Sequence, residues 1–421
     1  MPGGDMVKVI NNQSEFGQAY FYGNPEITFW KAAYRRHTNF AMEARKMTNR
    51  SVTEAFGTEV TYTIPRDQSD LMYKVHLDAD LANPNPSFHV PFPGEKLIEY
   101  AEFRIGGTSI SKRLTSDFLH CWHELTIPDG KKWAYRELVG NTNSGILTSG
   151  TVSVTIPIPF WFTKNPGVAF PRNAVKNDDV SIVIKYQAGS LMGRNNTQNG
   201  AGTLTGTPTI SLYCTLIYLD EEERTRFQTA RHEYLIEQVQ THTSTIGTTV
   251  NFNFDHHVKE LIWFATNSTV TDKNDFFNYT KGAVSTGAGT VWTQSGVGSH
   301  QNENQVYPVG INTGDITIGT CQLKLDGSEM FVDGAMNTRY FTQLQPMYHH
   351  TSVPWTPGIF VYSFALKPEE YQPSGTLDFS SIKTQQLVFD STTDYNNLTI
   401  MAVNYNILVI SNGHANLVRN S

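Results

Sequence analysis

The sequence predicts an all-β chain built as two consecutive eight-stranded antiparallel domains, with short helices in a connector and in the loops. Three observations carry this. Apolar and polar residues alternate with a period of two, as at 71–81, where Leu71, Tyr73, Val75, Leu77, Ala79 and Leu81 interleave with Met72, Lys74, His76, Asp78 and Asp80. Only 17% of residues are charged, while Thr, Asn, Gly and Pro are plentiful, which favours strands and turns over helices. The whole pattern then occurs twice, on either side of one dense charge cluster, with no alternation of strands and helices in either half. Sandwich and jelly roll both satisfy these observations.

In chain order, residues 1–20 are polar and unpatterned and are expected to form an extended arm. Gly23–Lys31 reads as a turn with a short aromatic segment, leading through Tyr34-Arg35-Arg36-His37 into a strand at 39–47. Arg35, Arg36 and His37 read as a polar seam that pairs with carboxylates at a subunit contact; an anion site is the other reading. Strands follow at 58–65, 71–81, 97–105 and 109–112, the last two joined by Gly106-Gly107, a two-residue hairpin signal. Residues 116–125 break the pattern: Phe118, Cys121, Trp122 and Leu125 share one face of a short helix. Strands resume at 151–158, 179–187 and 209–219, with 188–208 expected as a surface loop.

The charge cluster Asp220-Glu221-Glu222-Glu223-Arg224-Thr225-Arg226 reads as a connector helix over 219–229. Asp220 is placed to cap it, Glu223 sits where a capping-box carboxylate belongs, and the acids precede the arginines as the helix dipole prefers. Glu223, Arg224 and Arg226 are expected to hold the two domains at a fixed angle through charge-assisted hydrogen bonds. Beyond it, strands are predicted at 232–241, 249–254, 258–265, 321–326, 358–366, 385–390 and 398–410. Between them, 266–320 is polar and glycine-rich, a long stretch of the kind that tends to be functional and is expected on an exposed face. The repeat shows in residues as well as in pattern. Phe103–Ile110 answers Leu323–Met330, each a strand, a tight glycine turn and a return, and Ile158–Pro166 answers Phe360–Pro368. The expected organisation is an arm at 1–20, a first domain at 21–218, the connector at 219–229 and a second domain at 230–421.

The totals agree with this reading. A chain of 421 residues suits two domains of about 200. A net charge of −7 argues against a nucleic-acid scaffold, which needs clustered Lys and Arg, so no direct nucleic-acid binding is expected. No apolar run is long enough to span a bilayer, and no apolar segment follows Met1-Pro2-Gly3-Gly4-Asp5 as in a secretory signal. Cys121, Cys214 and Cys321 are far apart and odd in number, and read as buried reduced thiols.

Several stretches resemble the major capsid proteins of nucleocytoplasmic large double-stranded DNA viruses, of the chlorella virus and iridovirus type. They are Gly23–Phe29 with Tyr34–Glu43, Glu223–Phe227 with His232–Gln238, Tyr362–Pro368 with Gln372–Gly375, and Asn404–Leu408. They lie at both ends and in the middle, so the resemblance covers essentially the whole chain, with departures concentrated in 266–320. It implies a double jelly roll, and a homotrimer of pseudo-hexagonal outline whose capsomers tile an icosahedral shell. It further implies minor capsid proteins as partners, an internal membrane nearby without insertion into it, synthesis in the host cytoplasm and residence in the virion. On that reading 266–320 faces outward and the arm at 1–20 lies inside.

No motif in the chain rises to an active site, so neither enzyme chemistry nor a cofactor is expected. Asp255-His256-His257 and His349-His350 contain metal-ligating types, but adjacent residues on a strand point to opposite faces and make no natural chelate. The glycines at 287–289 precede no Lys-Ser/Thr and open no helix, so no phosphate loop is indicated. Among the N-x-Ser/Thr sequons, Asn267 and Asn278 are kept as candidate glycosylation sites. The alternatives to a major shell protein are a paralogous minor capsid or spike protein and a jelly-roll carbohydrate-binding protein.

Overall fold

Each half of the chain folds as a sandwich because its strands carry one apolar row that must be covered, and the two halves reach the same solution. The computed structural model describes residues 24–49, 53–66, 69–82, 88–141, 151–195, 200–272, 274–280, 316–331 and 334–419. The arm at 1–20 and most of 266–320 therefore lie outside the described residues. The chain divides into the units Met1–Asn39 and Phe40–Ser421. In the first, the described residues 24–39 form neither helix nor strand. The second holds both sandwiches.

The first half contributes β1 (Phe40–Lys46), β2 (Glu59–Thr63), β3 (Leu71–Leu81), β4 (Ile98–Ile105), helices α1 (Ser116–Thr126) and α2 (Asp129–Leu138), β5 (Val152–Pro157), β6 (Val180–Tyr186) and β7 (Thr209–Leu219). The connector is α3 (Glu221–Thr229). The second half contributes β8 (His232–Thr245), β9 (Thr249–Phe252), β10 (His257–Thr266), β11 (Thr320–Leu325), a π-turn at Tyr340–Leu344 running into α4 (Gln345–His349), then β12 (Phe360–Ser363), β13 (Gln385–Phe389), β14 (Asn397–Ser411) and β15 (His414–Leu417).

Sheet order exposes the duplication. The first half pairs β1-β7-β3-β5 in one sheet and β2-β6-β4 in the other, the latter extended by Thr48–Asn49 at one edge and Thr108–Ser109 at the opposite one. The second half pairs β8-β14-β10-β12 and β9-β13-β11, with Ser328–Glu329 in the place of Thr108–Ser109. Each of β1–β7 thus has its counterpart seven strands later. The hairpin equivalence 103–110 with 323–330 holds in detail: Gly106 and Gly107 have φ of 58° and 84°, Asp326 and Gly327 have 49° and 78°. Two consecutive left-handed residues are what the right-handed twist of a tight hairpin demands. The other sequence equivalence is displaced. The strand matching β12 is β5, at Val152–Pro157, whereas Ile158–Pro166 follows it and contains a 3-10 turn at Trp161–Thr163.

Three local expectations need correction. The return strand expected at 109–112 is only Thr108–Ser109, because Lys112 turns the chain with φ of 59°. The stretch 188–208 is not wholly surface loop: Gly193–Arg194 pairs with both Ala201–Gly202 and Phe88–His89, and Met192 and Leu204 are buried. His349 and His350 lie at the end of α4 rather than on a strand.

The core explains why the two halves form one unit. One face of β8-β14-β10-β12 sends Leu261, Trp263, Ile400 and Ala402 into its own sandwich. The alternate residues Ile262, Phe264, Met401 and Val403 join the apolar cluster built by the first half. This sheet is buried on both faces, so β10 and β14 read as nearly unbroken apolar runs.

Candidate assembly sites

The connector forms as the charge pattern predicts. Asp220 caps α3 by accepting the Glu222 N–H at 3.2 Å. The capping-box return from Glu223 is not made; its Oε2 is buried without a hydrogen-bond partner among the described residues. Arg224 does hold the helix down: its Nε donates to both carboxylate oxygens of the buried Asp70, at 3.0 and 3.1 Å. Asp70 also accepts the Leu219 N–H at 2.8 Å. Both partners belong to the first sandwich, so this link anchors α3 to one domain rather than clamping two. Arg226 is exposed and its side chain has no hydrogen bond or ion pair among the described residues. Its expected role is corrected accordingly. Arg224→Ala should destabilise the fold by about 1–3 kcal/mol, the cost of leaving the buried Asp70 carboxylate short of a charged donor, whereas Arg226→Ala should leave the melting temperature of the monomer unchanged. Thermal denaturation of the two variants side by side checks this, and the reverse ranking would sink it.

The other residues singled out in the sequence lie as follows. Arg35, Arg36 and His37 are exposed, and His37 Nδ1 lies 2.8 Å from the Thr38 carbonyl. They share their stretch with the most exposed aromatic side chains described, Phe29, Trp30 and Tyr34, at 87%, 94% and 93% exposure. Asn267 donates to the Asp394 carbonyl. Asn278 is buried, its amide nitrogen donating to Asp275 at 2.8 Å and its oxygen accepting from Thr280. A glycan on that nitrogen would have to break this arrangement. Cys121, Cys214 and Cys321 are free and buried. Burial pushes the Cys214 and Cys321 thiols above their ordinary range, which keeps them inert. Among the described residues no group of three or more His, Cys, Asp or Glu side chains is placed to hold a metal ion.

The two sandwiches are clamped by a polar seam that the sequence reading did not locate. Its first part joins α1 and α2 to the segment 352–356. Trp355 donates its backbone N–H to Glu124 at 2.7 Å, Ser352 donates to the Leu125 carbonyl and to Asp129, and Lys132 donates to the Val353 carbonyl at 2.7 Å. Glu124 is buried between Lys132 and Arg136, which hold it ionised against the desolvation that would raise it. Beneath it Glu95 accepts from Tyr135 at 2.6 Å and sits 2.7 Å from His120 Nδ1. Burial alone would push Glu95 up; the charge and hydrogen bonds of His120, with those of His123, bring it down to about 2. His120 Nε2 reaches Thr356 of the second half at 3.0 Å.

The second part is ionic. Lys164, just past β5, pairs with Glu237 on β8, and the other oxygen of Glu237 lies 2.9 Å from Lys259 on β10. Both ammonium groups stand over the Trp122 ring. Next to Lys259, Glu260 lies 3.0 Å from His350 Nε2, and His350 Nδ1 lies 3.0 Å from Glu369. The seam closes at the turn between β14 and β15, where Lys176 and Asn177 donate to the Gly413 carbonyl and Asp178 accepts from Ala415. Gly413 has φ of 83°, and a Cβ there would meet the Asn177 side chain at 2.9 Å, so glycine is required. One signal in the sequence could have pointed here: Lys259-Glu260 interrupts the apolar run Val258–Phe264, and a charged pair inside a strand buried on both faces must have partners.

The family models meet within this architecture. The model described as the major capsid protein N-terminus matches residues 28–220, and that described as the large eukaryotic DNA virus major capsid protein matches residues 223–416. The chain belongs to the major capsid proteins of large eukaryotic DNA viruses. It is 34% identical to the major capsid protein of Pyramimonas orientalis virus, over 99% of both chains. It is 31% identical to that of Paramecium bursaria Chlorella virus 1, over 94% of this chain and 95% of the relative. A chain of the quasi-atomic model of the PBCV-1 virus capsid superimposes with a TM-score of 0.78 at 28% identity, covering 94% of this capsid protein and all of that chain. The fold is thus the double jelly roll of these shells, and the seam joins its two jelly rolls within the one unit Phe40–Ser421.

Proposed function

We propose that three copies of this capsid protein associate into one pseudo-hexagonal capsomer, and that these capsomers tile the outer icosahedral shell of the virion. One observation carries the reading: the two jelly rolls repeat the same sheet order, so a three-fold arrangement presents six similar lobes. The work of the chain is then self-association, with no catalysis and no cofactor. Synthesis in the host cytoplasm, contact with minor capsid proteins and a position over an internal membrane belong to the same proposal. No helix among the described residues is long and apolar enough to cross a membrane. Light scattering after size exclusion should give about three times 47.2 kDa. A clean monomer at micromolar concentration would overturn the proposal.

A further inference from the structure

A ring of three identical copies cannot use the same patch twice at each junction; it needs two different surfaces on every chain, one fitting the other. The duplication identifies them. Inside the chain, the first jelly roll covers the outer face of β8-β14-β10-β12 with α1 and the segment after β5. A small cavity at that junction is lined by Phe118, Trp122, Trp161 and Lys164 from one side and by Glu237 and Val403 from the other.

Each of these surfaces has a counterpart that the described residues of the unit Phe40–Ser421 leave at least partly open. The counterpart of the covered sheet is the outer face of β1-β7-β3-β5. There Phe40 and Met42 pair with Leu219 and Ile217 across β1 and β7 and share their face. Ile217 belongs not to the sandwich core but to a small cluster with Leu71, under Tyr73 and Phe227. Phe40 and Met42 remain 55% and 50% exposed. The counterpart of α1 is the turn and helix at 340–349. Leu114–Thr115 and Met336–Asn337 pair with equivalent strands, and Thr115 and Asn337 each accept the N–H three residues on, from Phe118 and Tyr340. Around it Met330, Met336, Met347, Tyr348, Leu366 and Tyr371 are all exposed, beside a groove of about 840 Å³ that includes Tyr340, Leu344 and Met347. These six exposed side chains supply the apolar part of an interface, which when stable buries ~800 Å² per partner. Methionine is the residue suited to a face that must adapt to a partner.

We infer that the methionine-rich face around Met336 and Met347 of one copy seats on the outer face of β1-β7-β3-β5, at Phe40 and Met42, of the next copy. The contact between copies repeats the seam between the two jelly rolls, with side chains that tolerate water before assembly. This rests on the three-copy reading above. The outer face of β1-β7-β3-β5 is also more polar than its counterpart, carrying His76 stacked on Tyr213, as befits a surface exposed until assembly.

The test uses the full chain with Met42→Glu and, separately, Met347→Glu. Both side chains are at least half exposed, so each variant should keep the far-UV circular dichroism of the parent. Each is expected to fall from the three-chain mass to the one-chain mass in light scattering. An equimolar mixture retains one intact pair of faces and is expected to give a two-chain complex. Variants that stay trimeric beside a trimeric parent would overturn this inference alone. Variants that dissociate but do not recombine would mean that the two faces are not partners. A monomeric parent would instead remove the three-copy reading itself.

Discussion

Glu237→Ala is expected to lower the melting temperature of the monomer by about 5 °C. The carboxylate stands between two ammonium groups, pairing with Lys164 and lying 2.9 Å from Lys259, whose side chain is completely buried. Burial alone would raise the Glu237 carboxyl; the two lysines more than offset it and keep it charged. Lys164, where the loss of water together with the neighbouring Lys259 charge outweighs Glu237 and Glu260, is pulled down to about 8. Lys259, with Glu237 and Glu260 both acting on it, is raised despite its burial. Alanine at 237 leaves two cations facing each other over Trp122, and stranding a buried charge costs on the order of 3–5 kcal/mol. Spread over an unfolding entropy of about 2 cal/mol/K per residue, that cost gives the few degrees stated. The informative comparison is Lys164→Met/Glu237→Leu/Lys259→Met, which removes all three charges. It should melt far closer to the parent than the single variant, because an intact buried ion network is nearly balanced by its own desolvation while a broken one is not. If Glu237→Ala melts within a degree of the parent, water reaches the lysines and the seam is not dry.

Strand positions were legible because one apolar row per strand is a period-two signal, but its face was not always: in 71–81 a register shift between Met72 and Val75 sends Met72 into the core and leaves Leu71 and Tyr73 on the outer face. The connector helix was legible for a different reason: Asp220, the following acids and the arginines encode a helix locally, and Asp220 caps it. What Arg224 grips was not legible, because Asp70 stands 154 positions away and sequence spacing carries no information on that distance. The seam was hidden for the same reason and for one more. Ile262, Phe264, Met401 and Val403 looked like ordinary core residues, and only the fold shows that they serve the neighbouring jelly roll. The exposed methionines around 336–347 had no periodic signature either; their meaning came from the counterpart helix α1, which the chain itself covers.

Raising the pH from 6.5 to 8 is expected to lower the stability of this capsid protein, and His350 is the reason. Its imidazole is buried with Glu260 on one side and Glu369 on the other, each at 3.0 Å. Burial would depress its pKa, but the two carboxylates outweigh that and raise it to about 9, from an ordinary 6.5. The native chain therefore holds this proton more tightly than the unfolded one. The stability it contributes is complete below pH 6.5 and is lost as the pH rises through 9. Lys164 acts in the opposite sense, since its pKa of about 8 lies below the ordinary 10.5, so it adds stability only above pH 8. The window between 6.5 and 8 isolates the histidine, where 1.5 units of pH are worth roughly 2 kcal/mol, or about 2–3 °C in melting temperature. His350→Gln will be less stable than the parent at every pH, because Glu260 loses its counter-charge; its slope across the window is the decisive quantity, and it should be flat. The consequence reaches the seam through the chain itself, because two residues after His350 begins the stretch with Ser352, Val353, Trp355 and Thr356, the residues that grip α1 and α2. Hydrogen exchange at the Trp355 amide should accordingly quicken between pH 6.5 and 8 by more than the intrinsic base-catalysed rate. A parent whose melting temperature is constant across that window, or a glutamine variant that keeps the parent's slope, would show that the imidazolium does not hold this end of the seam.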